Sequence, residues 1–255
     1  MIHRTALVDP TAHLGQDVSI GPYSIVGPRV TVGERCTLAA HVVLERNVKL
    51  GAGVKVGYGT VIGNDPQDLK YGGEETWVEI GDDTVLREYC TVNRGTVTTG
   101  KTTVGRRCFL MSYVHVAHDC VIGNDVIMAN AVQMAGHVTV EDRAIISGLV
   151  PIHQFVRIGT FAFVGGASRV NQDVPPYTKA VGNPVHLYGL NSVGLQRAGF
   201  APEVKLALKR AYRLLFNSDL TVSQGIARAR AELPSAPEIE HFLRFIEGSE
   251  RGVLV

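Results

Sequence analysis

From Val8 onward the apolar positions return every sixth residue. In the register VDPTAH, LGQDVS, IGPYSI, VGPRVT, VGERCT, LAAHVV the first residue is aliphatic, the second is often Gly, and the fifth is small. The register runs to IGNDPQ at Ile62, resumes at Ile80 with IGDDTV, and resumes again at Val104, continuing to VNQDVP near Pro175. A period of six fits neither the helical repeat of about 3.6 nor the strand repeat of about 2. Carried through roughly two dozen repeats, it predicts a hexapeptide parallel β-helix.

Three hexapeptides make one triangular coil of about 18 residues, with first-position aliphatics pointing into the prism and fifth-position side chains facing inward near a corner. Glycine at the second position suggests a turn that needs unusual backbone angles. Coils stack at the strand spacing of about 4.8 Å, so residues one coil apart become neighbours along the axis. Helices of this class are left-handed, against the usual right-handed crossover; that hand is implied by likeness to the class and not by the spacing.

Two polar excursions break the register, at residues 64–78 (NDPQDLKYGGEETW opens it) and 98–103 (TTGKTT). Loops on a rigid scaffold commonly carry binding groups, and the first, with Asp68, Lys70 and the only Trp, is the stronger candidate. After Pro175-Pro176 the spacing turns helical, with expected helices from about Gly199, over Val222 to Leu233, and from near Pro237 to about Phe245. The chain thus divides into a mainly β domain over 1–190, a left-handed parallel β-helix, and a C-terminal α-helical domain over 191–255. Lys205, Lys209, Arg210 and Arg213 share helical spacing, as a solvated face or a dock for an acidic partner.

Composition narrows the function. With 25 basic and 24 acidic residues the formal charge is +1, which leaves no charge excess for nucleic acid. No signal peptide is apparent and no apolar run could span a membrane, so a cytoplasmic protein is expected. Cys36, Cys90, Cys108 and Cys120 all occupy fifth-position slots; they read as small core fillers with free thiols rather than metal ligands.

Histidine has no place in a solenoid core, yet His115, His118, His137 and His153 cluster in the second half. His137 follows His118 by about one coil, so these imidazoles should line one edge of the prism. Two chemistries fit: a metal site sharing imidazoles, as in hexapeptide-fold carbonic anhydrases, or a single His as general base toward a thioester. The differing in-repeat positions make metal convergence awkward, which favours the base, at His118.

The segments HVAHDC, PQDLKYGGEET, MAGHV, IHQF, NQDVPPY with GNP, and GLNSVGLQRAGF together resemble the UDP-N-acetylglucosamine 3-O-acyltransferases over essentially the whole chain. The resemblance implies a homotrimer with active sites between adjacent prisms, taking a (R)-3-hydroxyacyl chain from acyl carrier protein to the sugar 3-hydroxyl in the first step of lipid A biosynthesis. By the same resemblance His118 is the base, Asp119 orients it, and the Gly136 N–H serves the reacting carbonyl. Asp68 and Lys70 match sugar-binding positions; His115, His137, His153 and Gln154 match other substrate contacts. Asn191 and Arg197 match the nucleotide site, although Ala198 stands where relatives carry a second basic residue. Gly166 matches the stop of the acyl groove and, lacking a side chain, implies a long acyl chain. No metal or redox cofactor is implied. The rival readings are an N-acyltransferase acting on an amino-sugar nucleotide, a carbonic-anhydrase-like metalloenzyme, and a purely structural solenoid.

Overall fold

The computed structural model describes residues 1–255. Almost every hexapeptide contributes one two-residue strand, formed by its sixth residue and the next first residue. These strands build three parallel sheets: one from Leu7–Val8 to Pro151–Ile152, one from His13–Leu14 to Arg157–Ile158, and one from Ser19–Ile20 to Phe163–Val164. The result is a left-handed parallel β-helix. The third sheet then gains Thr178–Gly182 and, antiparallel to it, Val185–Leu190.

Two residues make too short a strand to persist alone; the column of coils holds it. Within the prism 45 buried residues form one continuous core. All four cysteines are buried and free in fifth slots, and burial pushes the Cys90 thiol up to about 11 and the Cys120 thiol up to about 12. Polar residues in that slot are satisfied internally, as buried groups must be. Ser24 donates to the Ala39 carbonyl at 2.7 Å and accepts the Val42 N–H at 3.1 Å, and Thr60 and Thr84 repeat the arrangement with Arg87 and Gly105.

The glycine expectation needs correcting. Positive φ falls at the fourth slot, at Asp17, Tyr23, Arg35, Asp119 and His137 among others, each within a few degrees of 60°. Apart from Gly63, at φ 91° where the first excursion begins, second-slot glycines have ordinary φ and are required for space. A Cβ on Gly105 would lie 2.3 Å from the Gly123 carbonyl oxygen, and one on Gly33 2.4 Å from that of Gly51.

Both excursions leave the same corner, between the first and second sheets. One separates Val61–Asn64 from Trp77–Ile80, and the other, a coil further on, separates Thr91–Asn93 from Lys101–Val104. Ladder partners 18 residues apart elsewhere, as Val43 with Val61, open to Val61 with Thr91 and Thr91 with His115. The next coil of that corner carries His118.

Four helices follow: α1 (Ser192–Arg197), α2 (Pro202–Phe216), α3 (Val222–Glu232) and α4 (Pro237–Glu247). The last three occupy the positions their spacing predicts. α3 opens with a reciprocal Thr221–Gln224 capping box. α1 was not visible as periodicity because six residues including Gly194 give barely more than one turn. The helices share a core of 14 buried residues and sit on the last coils, where Arg157 donates to the Gly248 carbonyl at 2.7 Å and lies 4.1 Å above the Phe245 ring.

The two kinds of glycine should respond oppositely to substitution. Gly105→Ala forces a methyl into backbone and should cost about 1–3 kcal/mol, read as a lower denaturation midpoint. Gly53→Asn, at φ +68 with only the Asp83 carboxylate end in the way, should stay within about 0.5 kcal/mol of the parent.

Candidate active site

Stacking places third-slot residues in columns, and at the excursion corner that column reads Arg94, His118, Gly136, Gln154. The last three line a cavity of about 780 Å³ with His115 and Gln133 from the first sheet and residues 67–70 of the first excursion. His115 and Gln133 are direct ladder partners. The cavity thus brings together Asp68, Lys70, His115, His118, Gly136 and Gln154 of the expected set.

His118 stands at the excursion corner of the prism and is buried there rather than exposed. Its Nδ1 lies 2.7 Å from Asp119 Oδ2. The carboxylate can only accept, so Nδ1 carries a hydrogen, and in the neutral ring the lone pair is at Nε2. Gly136 forms the ring's seat: a Cβ there would lie 2.5 Å from Cε1 and 2.6 Å from Nε2 of His118. The Gly136 N–H is given to no group of the chain. At two positions of other corners a third-slot N–H is taken by an acid of the next coil, Ala52 by Asp82 and Asn124 by Asp142, at 2.8 and 2.7 Å; here the next coil offers Gln154.

The Asp119 side chain is fully enclosed. Burial alone would raise its carboxyl, but hydrogen bonds from Thr99, His118 and the N–H and hydroxyl of Thr96 hold it below its ordinary value. The His115 imidazole is shifted down, by burial first and by His118 second, which favours its neutral form; its Nδ1 is 2.7 Å from Thr91 Oγ1.

His137 lies above His118, as the one-coil offset predicts, with its N–H on the His118 carbonyl at 3.0 Å. Its ring stacks on Phe155 at 4.7 Å and turns Nε2 toward Asp119 at 3.6 Å, outside the cavity lining. His118, Asp119 and His137 therefore do converge, their donor atoms within 4.8 Å of one another, contrary to the awkwardness the repeat positions suggested. Their hydrogen bonding suits a base and its acceptor better than a metal, because four donors already occupy the carboxylate.

The remaining expected residues lie elsewhere on the chain. His153 is exposed, its Nδ1 3.2 Å from the Gln154 carbonyl oxygen. Gly166 faces Gly148 at another corner. Asn191 caps α1 by accepting the Gly194 N–H and donating to the Phe161 carbonyl, and with Arg197 and Ala198 it borders a separate depression of about 500 Å³.

Sequence reading missed the groups that hold the excursions. Arg94 is fully buried, paired with Asp65, and bonded to the Gly63 carbonyl and, at 3.0 Å, to the Tyr71 hydroxyl. It anchors the excursion whose tip turns on the Asp68 carboxylate, which accepts the Lys70 N–H at 2.9 Å. Gln67 and Gln133 were missed as cavity residues, although Gln133 stands 18 positions after His115 and the coil arithmetic could have found it. The second excursion, ranked below the first on composition and expected at 98–103, runs instead over 94–100 and supplies three of the four donors around Asp119.

The prism that carries this imidazole–carboxylate pair is that of a transferase of the hexapeptide class, as its relatives show. The family model described as bacterial transferase hexapeptide (six repeats) matches residues 11–46 and 101–136, and that described as UDP-N-acetylglucosamine O-acyltransferase, domain 2, matches residues 173–254. A relative from Alkalilimnicola ehrlichii named acyl-[acyl-carrier-protein]–UDP-N-acetylglucosamine O-acyltransferase is 55% identical over 98% of this chain and 97% of its own; one of the same name from Aliivibrio salmonicida is 52% identical over 100% of both. The UDP-N-acetylglucosamine acyltransferase structure from Bacteroides fragilis superposes with TM-score 0.98 at 40% identity, covering 100% of both chains. The corresponding O-acyltransferase from Moraxella catarrhalis gives 0.97 at 41%, covering 100% of this chain and 99% of its own. The chain belongs to the acyl-[acyl-carrier-protein]–UDP-N-acetylglucosamine O-acyltransferase family.

Gly136→Ala should displace the imidazole from its seat. We expect turnover with the family's substrates to fall at least about 100-fold, the scale of losing an aligned base, while the melting temperature changes little. Undiminished turnover would show that the ring does not need this seat.

Proposed function

We propose that this protein transfers a (R)-3-hydroxyacyl chain from the phosphopantetheine thioester of acyl carrier protein to the 3-hydroxyl of UDP-N-acetylglucosamine, the first step of lipid A biosynthesis. One observation carries the reading: an enclosed imidazole, held by Asp119 at 2.7 Å, presents its other nitrogen beside an unpaired Gly136 N–H at a cavity wall.

A sugar hydroxyl is a weak nucleophile until its proton is removed during attack. His118 Nε2 takes that proton as the oxygen bonds to the thioester carbonyl carbon, and the resulting oxyanion accepts the Gly136 N–H. When the carbon–sulfur bond breaks, the imidazolium returns the proton to the departing thiolate. Asp119 keeps its charge and orients the ring throughout. The step balances without a metal or redox cofactor, and we assign none.

Asp68 and Lys70 reach the cavity from the excursion and suit the sugar, with His115 and Gln154 as further contacts. Asn191, Arg197, His153 and Gly166 do not line this cavity in one chain, which supports an assembly in which a second copy completes each site; we assign a homotrimer. Gly166 then sits on the acyl path and, having no side chain, leaves room for a long chain. No helix is long and apolar enough to cross a membrane, and the nucleotide and carrier-protein substrates fit the cytoplasm. On α2, Lys209, Arg210 and Arg213 are exposed and suit an acidic carrier protein.

Incubating the protein with UDP-N-acetylglucosamine and a ladder of 3-hydroxyacyl carrier proteins should give an O-acylated sugar nucleotide by mass spectrometry, largest for a long donor. His118→Ala should lose about 10²–10⁴ in rate with the fold intact. Failure of the unmodified protein with every donor would reject the function. Asp68→Ala should act mainly through the sugar nucleotide, raising its KM; unchanged KM and kcat would remove Asp68 from the site.

A further inference from the structure

The chemistry above depends on Asp119 keeping its place behind His118. We propose that Thr96 and Thr99 are positioning residues for acyl transfer: from a loop outside the cavity they clamp the carboxylate that orients His118. The inference rests on the function proposed above.

Asp119 occupies a fourth slot, with φ 60°. Other residues of that slot, such as Asp17 and Tyr23, stand exposed on their corners. Asp119 is enclosed because the second excursion, one coil below, folds over it. An enclosed carboxylate is costly unless donors meet its lone pairs. Oδ1 accepts the Thr96 N–H at 2.9 Å and the Thr99 hydroxyl; Oδ2 accepts the Thr96 hydroxyl at 2.8 Å and His118 Nδ1 at 2.7 Å. Four donors fill four lone-pair sites. The Asp119 N–H is itself held by Thr102 Oγ1 at 2.9 Å, so the loop fixes the side chain and the strand it leads into fixes the peptide.

The hydroxyl protons support the assignment. Thr96 Oγ1 accepts the Thr98 N–H at 3.2 Å, which leaves its own proton for Asp119. Thr99 Oγ1 is also 2.8 Å from the Lys101 carbonyl oxygen, so its one proton is contested and this donor is the adjustable member of the clamp. Neither threonine lines the cavity, so neither should contribute to binding.

Removing one donor leaves the carboxylate charge less compensated, and it then stabilises a protonated His118 more. The base should stay protonated to a higher pH. The other groups facing His118 are His137, edge-on at 5.2 Å, His115 from the first sheet, and Asp68 and Lys70 across the cavity. Lys101 is turned away, paired with Glu79 at 2.7 Å. A threonine-to-valine change alters none of these.

The test is the pH dependence of kcat and kcat/KM for Thr99→Val, Thr99→Ser and Thr96→Val, with Thr96→Val as the independent variant should Thr99→Val fold poorly. Each valine variant should lower the plateau kcat about tenfold, the scale of one hydrogen bond to a charged group. The acid limb should move to higher pH, KM for both substrates should change little, and Thr99→Ser should restore both readouts. An acid limb unmoved or shifted to lower pH, or a serine variant as impaired as valine, would overturn the clamp. Inactivity of the unmodified protein would instead reject the acyl-transfer function, so the two failures are distinguishable.

Discussion

Everything in this molecule depends on the ladder that binds each coil to the next. A two-residue strand has almost no stability of its own, so every coil takes its position from its neighbours. That dependence fixes the register, and the register turns repeat positions into columns: aliphatics inside, small residues at the inner corners, glycines where backbones nearly touch. A substitution in one coil is therefore felt as a change in a column.

The site is a deviation written onto those columns. His118, Gly136 and Gln154 belong to one third-slot column, and the ladder alone brings the backbone of each to its place. The support goes to what the ladder cannot place, namely the polar excursions. The short stretch from Arg94 to Thr99 serves both, since its arginine reaches down to Asp65 and Tyr71 of one loop while its threonines reach up to Asp119. The loop at the cavity and the carboxylate behind His118 are thus held by the same few residues.

The architecture was legible because a six-residue period has one physical solution, and the cysteines were legible because their slot fixes their surroundings. The proximity of His118 and His137 followed from coil arithmetic. Arg94 was not legible: arginine at a corner slot ordinarily points to water, and only the excursion wrapped over it makes the position interior. Thr96, Thr99 and Thr102 sit in a polar stretch with no period, where nothing in the sequence says which hydroxyl meets which acceptor. The second-slot glycines were assigned the wrong reason, because a residue without Cβ serves equally for positive φ and for close approach. His137 shows a further limit, since repeat positions give the coil and corner of a side chain but not the wall it faces.

The placement of the excursions has a consequence for how such a chain can vary. Closing an ordinary coil joins residues 18 apart, whereas the coils below His118 join Val61 to Thr91 and Thr91 to His115. Because closure entropy grows only with the logarithm of loop length, even the wider of these costs about 0.5 kcal/mol more than an ordinary coil. Segments can be lengthened, shortened or rewritten at that corner while the ladder on either side keeps its spacing. The prism thus separates the part of the sequence that must obey the repeat from a part free to acquire chemistry.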